Sequence, residues 1–341
     1  YEADKSIPKK SIPAQDLFFD LLKERAETGR IYIMNIDHCN SHSSFKDKVN
    51  MSNLCQEITL PTKPIQHIDD PEGEIALCIL SAINVGTLKD VSELENLCDI
   101  SVRALDEIID YQDYPVKAAE VSTKARRSLG IGYIGLAHYL AKNGVKYSDP
   151  EAWTLVDRLS EAFQYYLLRA SCDIAEEKGK CTGFERTKYA DGLLPIDHYK
   201  KDVDKIVPHK QRMAWESLRK DIAKHGLRHS TLSAQMPSES SSVVSNATNG
   251  IEPPRALLSI KKSKKGPLKQ IVPGFPKLKN DYTLLWDMPS NEGYINVVAM
   301  MQKYFDQAIS GNWSYNPLQF YNNEVPLSAM AQDMLVAYKM G

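Results

Sequence analysis

Residues 75–85 read Ile-Ala-Leu-Cys-Ile-Leu-Ser-Ala-Ile-Asn-Val, an almost unbroken apolar run. Such a run is typical of a strand that is buried on both faces of a parallel sheet. Apolar residues at helical spacing surround it on both sides. Helices are predicted at 14–29, 90–111, 115–124, 135–143, 149–178, 211–224, 292–310 and 326–340, and extended segments at 31–34, 54–60, 75–85, 229–236, 256–261 and 269–272, with a basic turn at 261–265. This alternation predicts an α/β fold, either a layered sheet or a barrel.

The composition is that of an ordinary globular protein, with 341 residues, 43% of them hydrophobic and 25% charged. No linker divides the chain, so 1–341 is treated as a single unit. A net charge of −2 gives no general attraction to nucleic acid or to an anionic membrane. No apolar run is long enough to span a bilayer, and residues 1–15 do not resemble a signal peptide. We therefore predict neither a nucleic-acid nor a membrane partner.

The six cysteines are sparse and form no CxxC pair, which favours a reducing, cytoplasmic compartment over a disulfide scaffold or a zinc site. His38 and His42 flank Cys39, but in a polar and irregular segment. No metal site is predicted there.

The most informative short segment is Asn53-Leu54-Cys55-Gln56-Glu57. In an extended backbone alternate side chains share a face, so Asn53, Cys55 and Glu57 would project together. A thiol, a carboxylate and an amide on one face could act on a single substrate. The alternative is a half-buried strand with an inert cysteine, since buried free cysteines are common.

A second informative segment is the serine-rich stretch Pro237-Ser238-Glu239-Ser240-Ser241, which follows the extended segment at 229–236. A strand-to-helix turn presents free backbone N–H groups at the positive end of a helix dipole. Such a turn could hold a phosphate or diphosphate. Ordinary helix capping by one serine explains the same pattern, and the residues alone do not decide between the two.

Two further patterns have simpler explanations. Gly130-Ile-Gly-Tyr-Ile-Gly135 matches the dinucleotide fingerprint, but the basic segment 123–129 precedes it where an apolar strand is required. The glycines are better explained by close strand–helix packing. Cys78, taken by its pattern alone, is a small core residue of the apolar strand.

Several motifs, in the same order along the chain, resemble the large catalytic subunit of class I ribonucleotide reductase, in its aerobic bacterial or bacteriophage branch. The residues that carry the resemblance are 29–33 with 37–40, 52–57 with 60–62, 73–78, 126–132, 236–239 and 245–255. The resemblance covers essentially the whole chain and only the carboxyl-side half of that subunit.

The resemblance implies a fold and a set of residue roles. The fold would be the second half of a ten-stranded α/β barrel with a central loop that carries a radical cysteine. Cys55 would be that cysteine, Glu57 the base for the 3′-hydroxyl proton, Asn53 a substrate hydrogen-bonding residue, and Cys78 one of two reducing thiols. The substrate-binding residues would be Asn53, Leu54, Cys55, Gln56, Glu57, Pro237, Ser238, Glu239, Ser240 and Ser241. The family usually has threonine at the position of Ser240, which keeps the hydroxyl.

The resemblance also implies partners. The substrate would be a ribonucleoside diphosphate, and the radical would come from a small subunit of the di-iron tyrosyl type, with no cofactor bound by this chain. Thioredoxin or glutaredoxin would restore the thiols. The second reducing cysteine, the ATP cone and the radical-relay tyrosines are expected outside 1–341. We therefore expect the chain to be inactive without an amino-side half and the small subunit.

Two alternatives remain at this point. One is a non-catalytic fragment that completes a barrel, and the retention of Cys55, Glu57 and Cys78 argues against it. The other is a glycyl-radical enzyme with the same barrel, for which residues 320–341 show no glycine-radical motif.

Overall fold

The computed structural model describes residues 3–263 and 266–341, without the side chains of 261–263. Helices are α1 (Ala14–Thr28), α2 (Ile36–His42), α3 (Leu94–Tyr111), α4 (Lys117–Arg126), α5 (Leu136–Lys142), α6 (Pro150–Lys178), α7 (Pro195–His198), α8 (Trp215–His225), α9 (Glu239–Val244), α10 (Phe275–Leu278), α11 (Glu292–Gln302) and α12 (Leu327–Met340). Strands are β1 (Ile79–Asn84), β2 (Leu129–Ile134), β3 (Leu258–Ser263) and β4 (Gly266–Ile271). Single 3-10 turns lie at Val85–Thr87, Val91–Glu93, Phe184–Arg186, Lys188–Asp191, Lys201–Lys205, Leu285–Asp287, Pro317–Gln319 and Tyr321–Asn323.

The centre of the fold is an array of parallel extended segments. β1 pairs with β2 in parallel, with Ile79 opposite Leu129. Beyond β2, residues 231–235 run parallel to it through a bridge between Ile131 and Ser233. A further parallel bridge joins Gln235 to Ile309. The four segments therefore follow one another across the array in chain order, with helices as crossovers, which is the arrangement of repeated βαβ units.

The helices bury one face of this array. α6 is the central helix, and α3, α8 and α11 pack against it. Pro150 occupies its first turn, where the missing N–H of proline is tolerated, and Gly179 follows its last residue. Leu159, Phe163 and Leu167 of α6 are fully buried in the core shared with β2 and α11. The apolar spacing that predicted this helix is therefore the spacing of its buried side chains.

Several predicted boundaries are wrong for tertiary reasons. The helix predicted at 292–310 ends at Gln302, because 307–310 join the parallel array instead. Residues 31–34 form no strand, and the polar segment at 38–52 begins with α2. Part of the extended segment predicted at 54–60 is a turn.

The two extended segments at 256–261 and 269–272 form the antiparallel hairpin β3–β4. The basic turn predicted between them falls partly on Lys264 and Lys265, which lie outside the described residues.

The fold is mixed α/β, as predicted. The parallel array is open at both of its edges in the described part of the chain, so the barrel is not closed. None of the helices in the described ranges combines the length and apolar character that crossing a membrane requires.

Candidate active site

Residues 53–58 form a tight turn rather than the extended strand predicted from sequence. The Asn53 N–H donates to the Ile58 carbonyl at 3.2 Å, and the Ile58 N–H donates to Asn53 Oδ1 at 3.1 Å. Gln56 has φ of 66°, in the left-handed region that a non-glycine residue rarely adopts. Residues 53–57 are therefore not an extended strand with alternate side chains on one face, as predicted; the segment folds back so that Asn53 bonds to Ile58. Asn53 closes this turn with its own side chain.

The turn presents Cys55 at its half-buried tip and buries Glu57, which is 3% exposed. Burial, together with the nearby Glu57 carboxylate, raises the pKa of the Cys55 thiol. One carboxylate oxygen of Glu57, Oε2, is buried and has no hydrogen-bond partner among the residues that the structure describes. An unpaired buried acceptor is costly to keep, so it marks a place where a ligand hydroxyl can donate.

Cys78 immediately precedes β1 and belongs to the same site. Burial raises its pKa to about 12, the charges of Asp306 and Glu57 add to the rise, and a hydrogen bond from Gln307 opposes it. The charge of Glu57 contributes to the raised pKa of both thiols, and the Gln307 side chain contacts both Cys78 and the backbone N–H of Thr59, two residues after Glu57. Both thiols carry their hydrogen at neutral pH.

The residues Pro237–Ser241 form the start of α9, close to the end of the third parallel segment. Ser238 is buried and its hydroxyl donates to the Met236 carbonyl at 3.0 Å, so its side chain does not cap the helix. The Ser241 hydroxyl donates to the Ser238 carbonyl at 3.2 Å. Pro237, Ser240 and Ser241 are exposed. The capping explanation for the serines therefore does not describe Ser238.

A short chain of hydrogen bonds joins the Cys55 turn to the serine turn. The Ala308 N–H donates to the Glu57 carbonyl at 3.1 Å, and the Gln235 N–H donates to the Ala308 carbonyl at 3.1 Å. The Gln235 side chain then donates to the Met236 carbonyl at 3.1 Å. The two segments are thus held in one hydrogen-bonded framework.

The glycines of β2 show how near the two segments lie. A Cβ on Gly130 would be 2.9 Å from Cys78 Sγ, and a Cβ on Gly132 would be 3.1 Å from Met236 Sδ. These two positions share one face of the strand and are about 7 Å apart, so Cys78 and Met236 are at most about 13 Å apart. The glycine pattern that matched a dinucleotide fingerprint lets side chains of neighbouring segments approach β2 closely. Only Gly135, with φ of 80°, lies at a strand-to-helix junction.

A cavity of about 1050 Å³ borders the Cys55 turn. Cys55 and Gln56 contribute to its wall together with residues of α1, α2, α11 and α12. Among the described residues, none of 237–241 lines it. This cavity is therefore separate from the predicted diphosphate turn.

One of the histidines that flank Cys39 lies against a third histidine. His42 Nδ1 lies 3.2 Å from His198 Nδ1, and burial lowers the pKa of His42 to about 4. Within residues 3–263 and 266–341, no group of three or more histidine, cysteine, aspartate or glutamate side chains could hold a metal ion.

Gln307 was missed by the sequence analysis. It contacts the Cys55 turn, β2 and Cys78, but the predicted helix over 292–310 placed it on a helix surface. No local pattern identifies it, because its partners are far away in sequence.

Comparison with known proteins identifies the family of the chain. A family model described as ribonucleotide reductase, barrel domain, matches residues 1–283. The chain is 57% identical over its whole length to the ribonucleoside-diphosphate reductase subunit alpha of Buchnera aphidicola subsp. Schizaphis graminum, of which it covers 45%. It is 54% identical to the ribonucleoside-diphosphate reductase 1 subunit alpha of Escherichia coli and 42% identical to the subunit alpha of Enterobacteria phage T4, again covering all of this chain and 45% of each relative.

The chain belongs to the ribonucleotide reductase family, as a class I alpha-type sequence. It spans about half the length of the curated relatives that it matches, and the match is to their carboxyl-side half. The expected resemblance is therefore confirmed.

Proposed function

We propose that this chain is the carboxyl-side half of the catalytic barrel of a ribonucleoside-diphosphate reductase, folded as one unit. In that role it carries the radical cysteine and the diphosphate turn of an enzyme that makes 2′-deoxyribonucleoside diphosphates. The observation that carries the proposal is the hydrogen-bonded framework that joins the Cys55–Glu57 segment, Cys78 and the 237–241 turn.

The raised pKa of Cys55 suits a hydrogen-atom donor. A thiol that stays protonated at neutral pH can lose its hydrogen to a radical from a small subunit and recover it later. The Cys55 sulfur radical takes the hydrogen from the 3′ carbon of the ribose. The half-buried position of Cys55 limits access of water to that radical.

Glu57 serves as the base for the 3′-hydroxyl. Its unpaired Oε2 is the acceptor, and burial keeps water from competing with the substrate hydroxyl. Asn53 already uses Oδ1 to close the turn, so its side-chain N–H₂ group is the donor to the substrate. Leu54 and Gln56 complete the wall of the turn around the ribose.

Two thiols supply the electrons and hydrogens that the reduction requires. The 2′-hydroxyl leaves as water after protonation, and the two electrons and two hydrogens come from Cys78 and a second thiol, which close to a disulfide. Thioredoxin or glutaredoxin reopens that disulfide by thiol exchange. The second thiol belongs to the amino-side half of the subunit.

The substrate diphosphate lies at the serine turn. Pro237, Ser238, Glu239, Ser240 and Ser241 form this turn, and the backbone N–H groups of the first turn of α9 supply donors for the phosphate oxygens. Serine at 240 keeps a hydroxyl where the family usually has threonine. The substitution therefore retains a donor to the phosphate.

We propose two partners for the chain. An amino-side half supplies the remaining strands of a ten-stranded barrel, and a small subunit with a di-iron tyrosyl centre supplies the radical. The assembled enzyme is cytoplasmic in this proposal.

The test is reduction of a ribonucleoside diphosphate by this chain assembled with an amino-side half and a small subunit. The unaltered assembly should form the deoxyribonucleoside diphosphate, and Cys55→Ser should reduce turnover to background while the protein remains folded. Cys39→Ser, another half-buried cysteine, is the matched control and should retain turnover. Product formation by the Cys55→Ser assembly would contradict the mechanism.

A further inference from the structure

We propose that Gln307 is a positioning residue that holds the Cys55 turn in place against Cys78 through a single side-chain amide. The inference deepens the proposed reductase function and rests on it, since it concerns the relative placement of the two thiols. Nothing in the sequence pattern around Gln307 indicates such a role.

The contacts of the amide involve three parts of the site. Gln307 is 3% exposed. Its Oε1 accepts the Thr59 N–H at 3.3 Å, and its Nε2 donates to the Leu129 carbonyl at 2.9 Å. The same Nε2 lies 3.8 Å from Cys78 Sγ, within reach of a weak hydrogen bond to sulfur. One planar group therefore ties the segment after Glu57 to β2 and to the reducing thiol.

The backbone of Gln307 fixes the position of that amide. Its N–H donates to the Ser233 carbonyl at 3.1 Å, and its carbonyl accepts from Gln302 Nε2 at 2.8 Å. The next residue, Ala308, donates to the Glu57 carbonyl. Residues 307 and 308 together therefore anchor the backbone on the carboxyl side of Cys55 at two points.

The chemistry at position 307 requires an amide. Thr59 presents a donor, whereas the Leu129 carbonyl and Cys78 sulfur need one. Glutamate offers acceptors only, so it could keep the contact with Thr59 but would face the Leu129 carbonyl with a like partial charge. Methionine fills a similar volume and makes neither hydrogen bond. Gln307→Met thus removes all the side-chain hydrogen bonds of Gln307, whereas Gln307→Glu removes only those that the amide N–H₂ group donates.

The contacts of the Gln307 side chain should affect the rate of the reaction. A displacement of a reacting group by about 1 Å can slow a reaction by about 100-fold, because reactive geometry is lost. Loosening the turn should therefore lower kcat more than it weakens substrate binding, since the 237–241 turn has its own anchors in Met236 and Gln235.

The experiment compares Gln307→Met and Gln307→Glu in the assembled reductase. Gln307→Met should lower kcat at least 10-fold with KM for the ribonucleoside diphosphate changed less than 3-fold. Hydrogen exchange of the peptide spanning 53–60 should become at least 10-fold faster. Gln307→Glu should retain slower exchange at 53–60 than Gln307→Met, because the Thr59 contact survives.

The matched control is Gln112→Met, which removes a half-buried amide that donates to the Tyr114 hydroxyl at 2.7 Å, at the carboxyl end of α3. It should leave exchange at 53–60 unchanged. Unchanged exchange in Gln307→Met, or faster exchange with unchanged kcat, would overturn the inference. Lack of activity in the unaltered assembly would instead count against the proposed function. The hydrogen-exchange comparison would still decide whether Gln307 holds the Cys55 turn in place.

Discussion

Glu57 is the residue on which the chemistry of the site depends most. It is buried, its charge acts on two thiols, and its Oε2 has no hydrogen-bond partner in the described part of the chain. A protein keeps such an arrangement at a cost of about 1–3 kcal/mol per unsatisfied buried group. Burial is the main cause of the raised pKa of Cys55 and of Cys78, and the charge of the same carboxylate adds to the rise at both thiols.

Replacing Glu57 with Gln should separate its effect on the pKa of Cys55 from its role as the general base. The loss of a negative charge lowers the pKa of Cys55, so alkylation of Cys55 by iodoacetamide at pH 8 should become faster. Turnover of the assembled reductase should fall by about 100-fold or more, because the general base is lost. Peptide mass mapping of the alkylated protein measures the first effect. Glu151→Gln, on the exposed start of α6, is the control, and equal alkylation rates in both variants would argue against the proposed electrostatic coupling.

At the scale of elements, α3 fixes the starts of two parallel segments through Asp106. This side chain is fully buried and accepts from Arg127 Nε at 2.6 Å, just before β2. It also contacts Arg228 and His229, each at 3.2 Å, just before the third parallel segment. Burial alone would raise the pKa of Asp106, but the hydrogen bond from His229 and the charges of Arg127 and Arg228 bring it below its usual value. The strands that carry the site are thus aligned by one ionised carboxylate.

Asp106→Asn should destabilise the fold by about 3 kcal/mol at pH 7, because Arg127 and Arg228 lose their buried partner and keep only the more exposed Asp110. The stabilisation by Asp106 is fully present above the unfolded carboxyl pKa of about 3.9 and is lost as pH falls through the lower folded pKa. The free energy of unfolding of the unaltered protein should therefore decrease below about pH 4, and that of the variant should decrease less.

Urea denaturation at pH 7 and at lower pH measures both the loss of stability in Asp106→Asn and the pH dependence of the free energy of unfolding. Asp99→Asn is the control on the same helix, because its ion pair with Arg103 is at the surface and should contribute less than about 1 kcal/mol. Similar decreases in the free energy of unfolding for Asp106→Asn and Asp99→Asn would show that the buried network does not align the strands.

At the scale of the whole molecule, the parallel array has an open edge at β1. In the described ranges β1 pairs only with β2, and Leu77 and Leu80 are 36% and 44% exposed. Unpaired strand edges with apolar side chains are places where further strands add. This edge is where an amino-side half would continue the barrel.

Adding an amino-side half should therefore slow hydrogen exchange in β1 at least 10-fold. Pairing would protect amides that now face solvent at that edge. Exchange in β4 of the antiparallel hairpin should not change, which makes it an internal control. Binding without protection of β1 would place the second half elsewhere on the molecule.

The amino-acid sequence by itself determined the family, the α/β class and most helices, including α3, α6 and α12, because apolar spacing and local hydrogen bonding specify a helix without reference to distant residues. It also identified Cys55, Glu57, Cys78 and the serine turn as candidates. Only the tertiary structure decided that residues 53–58 are a turn and that 307–310 are extended. The physical reason is distance along the chain. The Gln307 contacts with Cys78 and Thr59 span 229 and 248 residues, so no local pattern records them.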